Sequence, residues 1–298
     1  MIVMKDHKRY LLVRSKTGLN DTLSEIEKCL KYCERYGRRL VIDAEQSGLF
    51  HALSRYLEPL EEEVADFEFT SSHTSLFSGL SVVPSSLAGR LSKYKTRWDP
   101  TVGSFVDEAT GDKITFDFGS DHSAELLVHE QVWTGRLQSL EFLKRCQFTE
   151  EVATEIKRRL KRLDGLAYCA VHVRNTDYTT DYPRLFEELR ESVIGVPVLI
   201  CSDDSRVFAY AQSALPRSEV FRLASQSNSD GSPIHGKRHE NQHEVNIQMF
   251  TDLLALAQAT NIFSANVDQI PRRSGFTLLA MGLHENKQIV RQLLRLQS

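Results

Sequence analysis

The segment spanning residues 167–177 joins an apolar run to three side chains that can do chemistry. The apolar residues lead directly into His172, Arg174 and Asp177. Such a run is typical of a buried parallel strand, and in open α/β sheets ligands bind just beyond the carboxyl ends of these strands. The planar guanidinium of Arg174 matches phosphate oxygens. Two interpretations stay open: a phosphate contact, or an ion pair with Asp177.

A second apolar run ends in two acids, Asp203 and Asp204. At the carboxyl end of a strand, a carboxylate can hold a ribose hydroxyl or a base N–H. Either aspartate could instead cap the helix that is predicted to start near Ser205. The two roles are compatible with each other.

Two strand-to-helix turns are candidates for anion binding, because the first turn of a helix offers free backbone N–H groups. One is the segment 18–21, which contains Gly18 and Asn20 but matches neither a dinucleotide fingerprint nor a P-loop, so an ordinary turn is favoured there. The other starts at Ser274, which is a natural N-cap. Asp252 lies in a mostly apolar helical stretch, where an unpaired acid is unusual.

The segment 239–243 has the spacing of the zinc-protease motif, with His239, Glu240 and His243. Its surroundings are highly charged, it lacks an apolar face, and no third ligand follows at a suitable spacing. A zinc protease is therefore kept only as a third, disfavoured alternative.

The elements that position these residues alternate between strand and helix. A strand at 10–14, a helix starting near Asp21 and a strand at 39–43 form a β-α-β unit with a parallel strand pair. Residues 50–145 read as irregular α/β. A charged helix at 149–163 leads into a Rossmann-like half, so we predict domains at 1–148 and 149–298.

Composition excludes several classes of protein. The 298-residue chain has a net charge of −3, 41% hydrophobic residues and 26% charged residues, as expected for a soluble globular protein and not for a nucleic-acid binder. No stretch is long enough to span a bilayer, although peripheral membrane contact stays open. The five cysteines form no zinc pattern, so reduced thiols and a cytoplasmic location are expected.

Several segments of the chain, considered together with their order and spacing, resemble the α1,6-fucosyltransferase-like superfamily, in particular its rhizobial nodulation-factor branch. Two departures from the family pattern are present: Asn175 stands where a second arginine often follows H-V-R, and the connection 267–273 is longer than usual. The segments that carry the resemblance are Arg14–Asp21 through Asp43, Val171–Arg174, Leu199–Asp204, Pro233–His235, Asp252–Ala257 and Ser274–Phe276.

The resemblance implies an α/β fold of GT-B-like architecture, with two Rossmann-like domains and a cleft between them. It implies inverting, metal-independent transfer of fucose from GDP-fucose to a glycan hydroxyl. The C-terminal domain would hold the nucleotide sugar and the N-terminal domain would form the acceptor side. The implied donor-binding residues are Gly18, Asn20, His172, Arg174, Asp203, His235, Asp252, Arg272, Ser274, Gly275 and Phe276.

Within this scheme Arg174 contacts the donor pyrophosphate, Asp203 lies near the nucleoside, and Arg272 or Arg273 replaces the missing arginine. A carboxylate must deprotonate the acceptor, and Asp177 is the nearest candidate, ahead of Asp181 and Glu187. The alternative from another functional class is a catalytically inactive nucleotide- or glycan-binding protein on the same fold. The sequence names neither the acceptor nor the oligomeric state.

Overall fold

The computed structural model describes residues 9–61, 65–130, 138–223, 236–267 and 273–296. Contacts divide the chain into two compact units, Met1–Thr149 and Glu150–Ser298. Each unit is built on its own parallel sheet.

The sheet of the N-terminal unit has the strand order β2-β1-β7-β4, and its strand pairs are parallel. Two antiparallel pairs, β3 with β8 and β5 with β6, lie outside it. The strands are β1 (Tyr10–Arg14), β2 (Arg39–Asp43), β3 (Leu57–Pro59), β4 (Val82–Val83), β5 (Thr96–Asp99), β6 (Ser104–Asp107), β7 (Leu126–Glu130) and β8 (Cys146–Phe148). The helices are α1 (Leu19–Tyr36), α2 (Ser71–Leu76) and α3 (Gln138–Leu143), with 3₁₀ turns at Leu53–Arg55 and Ser85–Leu87.

The predicted β-α-β unit is formed by β1, α1 and β2. Helix α1 begins earlier than expected: Gly18 is its N-cap, without a side-chain hydrogen bond, and Asp21 lies in the first turn. Gly37 ends the helix at a φ of 64°, a left-handed conformation that glycine adopts without steric cost. The apolar face of α1, which includes Leu23 and Ile26, is fully buried.

The C-terminal unit has a four-stranded parallel sheet in the order β11-β10-β9-β12. Strands and helices largely alternate along the chain, as in a Rossmann-like unit. The strands are β9 (Cys169–Val173), β10 (Val198–Ser202), β11 (Val220–Phe221) and β12 (Asn261–Ser264). The helices are α4 (Glu150–Leu160), α5 (Tyr182–Leu189), α6 (Ser205–Ala214), α7 (Gln242–Gln258), α8 (Gly275–Glu285) and α9 (Lys287–Leu293), with a 3₁₀ turn at Lys161–Leu163.

The central strand β9 is buried along its whole length, as its apolar sequence predicts. On one side of the sheet, Val171 and Val173 pack with Phe186 of α5 and Val207 of α6 in a continuous core. This packing fixes the end of β9, and with it the residues that follow.

All five cysteines are buried and free. Within the described part of the chain, the helices are too short or too polar to cross a membrane.

Candidate functional site

The carboxyl ends of β9, β10 and β12 are aligned at one edge of the C-terminal sheet. The strand register pairs His172 with Cys201 and with Ser264, and Val173 with Ser202. The segments that follow β9 and β10 therefore start side by side. This alignment brings together Arg174 and Asp203, each of which was predicted to follow the carboxyl end of a strand.

Arg174 forms a two-point ion pair with Asp177 at the end of β9. Its Nε lies 2.7 Å from Asp177 Oδ1, and a second guanidinium nitrogen contacts Oδ2. The guanidinium also stacks on Tyr178, 4.9 Å from the ring centroid. Although burial disfavours the charge, the Asp177 carboxylate raises the pKa of Arg174. Arg174 thus forms the ion pair with Asp177 in this structure. The ion pair keeps the positively charged guanidinium at the edge of the sheet.

His172 is tied to the first turn of α8. Its Nδ1 lies 2.7 Å from Thr277 Oγ1, which in turn lies 3.0 Å from Ser274 Oγ. Burial, and secondarily the charge of Arg174, lower the pKa of His172 to about 3, so the imidazole stays neutral. The ring also packs 5.2 Å from Phe276. His172 therefore positions the start of α8 and carries no charge to a ligand.

Ser274 is the N-cap of α8, as predicted, and its Oγ accepts from the backbone N–H of Thr277 at 3.2 Å. This bond satisfies one of the four free N–H groups that a helix start presents. The N–H groups of Gly275 and Phe276 belong to the same first turn and point along the helix dipole. The start of α8 is thus suited to an anion.

Asp203 organises the loop after β9. Its two carboxylate oxygens accept from the backbone N–H of Asn175 at 2.8 Å and from Thr176 Oγ1 at 2.6 Å. Burial raises the pKa of Asp203, and these two hydrogen bonds oppose the shift. In this structure Asp203 holds the loop that carries Arg174.

The adjacent Asp204 is the N-cap of α6, where it accepts from the backbone N–H of Arg206 at 2.9 Å. It also accepts from Asn175 Nδ2 at 2.9 Å, and Asn175 Oδ1 accepts from Thr180 Oγ1 at 3.0 Å. The amide of Asn175 can donate at one end and accept at the other, which an arginine could not do. The departure from the family pattern thus has a local structural role.

Asp252 lies on α7, where its Oδ1 accepts from Gln248 Nε2 at 2.9 Å. Burial raises the pKa of Asp252 to about 7, although the hydrogen bond from Gln248 by itself lowers the pKa. Its carboxyl group thus keeps a proton to a higher pH than an ordinary aspartate does.

The Asp252→Asn variant should be more stable than the original protein at about pH 8, by on the order of 1–2 kcal/mol. Between the ordinary carboxyl pKa of 3.8 and about 7, the folded state keeps a proton that the unfolded state has lost, so stability falls as pH rises. Thermal unfolding at about pH 4 and about pH 8 measures this, with Asp164→Asn on the exposed surface as the control. If Asp252→Asn changed the stability equally at both pH values, Asp252 would not have a raised pKa.

Gly18 and Asn20 belong to the N-terminal unit. Asn20 is buried, and its Oδ1 accepts from Ser139 Oγ at 2.7 Å. Its Nδ2 has no hydrogen-bond partner in the described part of the chain. The start of α1 thus contains a buried amide donor that is left unsatisfied among the residues described.

The remaining predicted site residues lie away from the contacts described above or outside the described residues. His235 and Arg272 lie outside the described residues. Arg273 is exposed, with a guanidinium nitrogen 3.4 Å from the sulfur of Met281. Asp181 serves as the N-cap of α5, which also contains Glu187. Of the candidate bases, Asp177 is the one placed directly against Arg174.

The HExxH segment does not form a helical zinc motif. Helix α7 begins at Gln242 with Asn241 as its N-cap, so His239 and Glu240 precede the helix. Two histidines one helical turn apart must both be helical to face one metal ion. The structure therefore gives the zinc-protease alternative no support.

Two hydroxyl partners were not predicted from the sequence: Thr277, which contacts His172, and Thr176, which contacts Asp203. A signal was present for Thr277, because a residue three positions after a serine N-cap receives its hydrogen bond. No signal pointed to Thr176, whose role depends on the pairing of β9 with β10.

No protein-family profile matches the chain, and no match is found among curated proteins. Solved structures do match. The fucosyltransferase NodZ from Bradyrhizobium aligns with a TM-score of 0.61 at 18% identity, over 92% of each chain. A NodZ α-1,6-fucosyltransferase crystallised with GDP gives 0.60 at 18%, over 93% of each chain.

A point mutant of FUT1 from Arabidopsis thaliana in complex with GDP gives a TM-score of 0.50 at 10% identity, over 95% of this chain and 70% of that chain. At identities this low, the structural alignments show a shared fold and nothing more. The resemblance predicted from the sequence is confirmed at that level, and the chain has the α/β fold of the GT-B fucosyltransferases.

Proposed function

We propose that this protein is a glycosyltransferase that moves fucose from GDP-fucose to a glycan hydroxyl with inversion at the anomeric carbon. The observation that carries the proposal is the cation of Arg174, two residues beyond the His172 that contacts the first turn of α8, on a fold shared with a NodZ structure soaked with GDP-fucose. A cation and a helix N-terminus are two independent means of holding a diphosphate.

In the proposed reaction the bond between the anomeric carbon and the β-phosphate oxygen breaks, and GDP leaves with a growing negative charge. Arg174 and the N–H groups of Gly275 and Phe276 would stabilise that charge, most strongly in the transition state. The cations and dipoles are supplied by the chain, so we propose that transfer needs no metal. Asp203 supports the same site by holding the loop of Arg174, and it would lie near the nucleoside of the bound donor.

The acceptor hydroxyl would attack the face of the sugar opposite the departing GDP, and its proton would pass to a carboxylate. We assign this base to Asp177, because Asp181 already caps a helix. Binding of the diphosphate would draw Arg174 toward the phosphates and release Asp177 from its ion pair. In the free protein the ion pair thus keeps Arg174 and Asp177 next to each other until the donor binds.

We assign donor binding to the C-terminal domain, 149–298, and acceptor binding to the N-terminal domain, 1–148. Gly18 and Asn20, at the start of α1, stay proposed donor contacts. Five free, buried cysteines favour a reducing compartment such as the cytoplasm.

A second candidate is a nucleotide- or glycan-binding protein that has lost catalysis. The observation that favours it is Asn175, which replaces a cation by a loop-fixing amide. Such a protein would bind GDP but would not release it from GDP-fucose in the presence of an acceptor.

GDP should stabilise the protein more than UDP, ADP or CMP does. At a ligand concentration of about one hundred times Kd, the expected stabilisation is about 2.7 kcal/mol. A thermal-shift series with the four nucleotides at matched concentrations measures the preference. A larger shift with UDP would remove the GDP-fucose assignment and leave the fold unaffected.

A further inference from the structure

A separate cluster of potential metal ligands lies inside the N-terminal unit, between α1 and β7. It consists of Glu25 and Cys29 on α1 and His129 on β7, and all three are buried. One ligand atom from each lies within 4.8 Å of the others. Nothing in the proposed transfer reaction uses these residues.

The backbone places the three ligands independently. Glu25 and Cys29 are four residues apart on one helix, so their side chains lie on the same face one turn apart. Side chains alternate along β7: Leu126 and Val128 belong to the core on one side of the sheet, and His129 points to the other side. That other side is the one covered by α1.

His129 is oriented as a metal-binding histidine is. Its Nδ1 lies 2.8 Å from Thr115 Oγ1, and its Nε2 lies 2.5 Å from Glu25 Oε1. Metal-ligating histidines usually donate the N–H that does not face the metal to an oxygen, which fixes the ring. Thr115 is placed for this role and directs Nε2 toward the cluster.

Glu25 keeps a buried oxygen without a partner. Oε1 is contacted by His129 and by Lys28 Nζ at 3.0 Å, whereas Oε2 has no hydrogen-bond partner in the described part of the chain. Leaving a charged oxygen buried and unpaired is costly, and a cation would satisfy it. Lys28 is partly exposed and can swing its ammonium group into solvent.

We propose that Glu25, Cys29 and His129 form a structural site for a zinc-type divalent cation. Nitrogen, thiolate and carboxylate ligands are the set that Zn²⁺ takes, and the second Glu25 oxygen can complete four-coordination. A carboxylate, a thiolate and a neutral imidazole balance the charge of one divalent ion in the buried interior.

The protons also balance. On metal binding the Cys29 thiol releases its proton to solvent. The proton of a neutral His129 then resides on Nδ1, and this N–H donates a hydrogen bond to Thr115 Oγ1. The three ligands come from the core of one unit, so an ion here would brace α1 against β7. It would offer no open position to a substrate, and metal-independent transfer would be unaffected.

Cobalt spectroscopy of the full-length protein tests the site directly. After dialysis against a chelator, Co²⁺ is added until the absorbance is constant. One equivalent should give a thiolate-to-cobalt charge-transfer band in the near-ultraviolet together with intense visible bands of tetrahedral Co²⁺, and Zn²⁺ should abolish both. Absence of the charge-transfer band in the unmodified protein would overturn the proposal without any variant.

Matched cysteine variants locate the ligand. Cys29→Ser should lose the charge-transfer band and bind Co²⁺ at least about tenfold more weakly. Cys33→Ser, at another buried cysteine of α1 outside the cluster, should keep both properties. Equal binding by the two variants would contradict the proposal and leave Glu25 and His129 as a simple buried hydrogen-bonded pair.

Discussion

Replacing Arg174 with alanine should abolish fucose transfer and weaken GDP binding about ten- to hundredfold, while the protein stays folded. Loss of a charge-assisted hydrogen bond costs about 1.5–3 kcal/mol in binding. The loss in rate should exceed the loss in affinity, because negative charge grows on the leaving diphosphate during reaction. Calorimetric titration with GDP and a transfer assay on the same preparation measure the two effects.

Two further arginine variants distinguish phosphate binding by Arg174 from a purely structural ion pair with Asp177. Arg174→Lys should recover only part of the GDP affinity, since an ammonium group cannot bind two oxygens in a plane. Arg184→Ala removes an exposed arginine that is also paired, with Glu188, and should leave GDP affinity unchanged. If Arg174→Ala lowers the melting midpoint but keeps GDP affinity, Arg174 serves only to hold Asp177.

The Asp203→Ala variant should lose about 1–3 kcal/mol of stability and bind GDP about tenfold more weakly. Both effects have one cause: the backbone N–H of Asn175 and the hydroxyl of Thr176 lose their acceptor, so the loop that carries Arg174 is no longer fixed. Urea unfolding and GDP titration measure the two quantities.

Asp203→Asn is the matched variant, because its amide oxygen still accepts from the Asn175 N–H. It should retain most of the stability and more of the GDP affinity than Asp203→Ala. The account of Asp203 would be wrong if the alanine variant had normal stability and normal affinity. A loss of GDP affinity that is equal in both variants, at normal stability, would instead indicate a direct contact between the carboxylate and the nucleoside.

Strands were the features most readily predicted from the sequence. β1, β2, β9 and β10 are continuous apolar runs that end in polar residues, and both faces of each run are covered in the fold. Their parallel pairing followed from the helices between them. Ser274 as the N-cap of α8 was also predictable, because capping depends on a few neighbouring residues.

Contacts that depend on strand pairing were not predictable. That Asp203 lies near the nucleoside stays a prediction. Its partners in this structure, Asn175 and Thr176, lie almost thirty positions away along the chain and reach it only because β9 and β10 are neighbours. The pairing of His129 with Glu25 spans 104 residues and requires the position of β7 beside β1. The region 50–145 carried too little periodicity to reveal either β7 or the β5–β6 hairpin.

The most direct test of the proposed function is a transfer assay with GDP-fucose and a mixture of glycan acceptors, without added divalent metal. We expect a fucosylated product by mass spectrometry, GDP released in equal amount, and a product anomer inverted relative to the donor by NMR. The same yield is expected with excess Mg²⁺. GDP binding without any fucosylated product over a broad acceptor panel would contradict the account and identify a catalytically inactive binding protein.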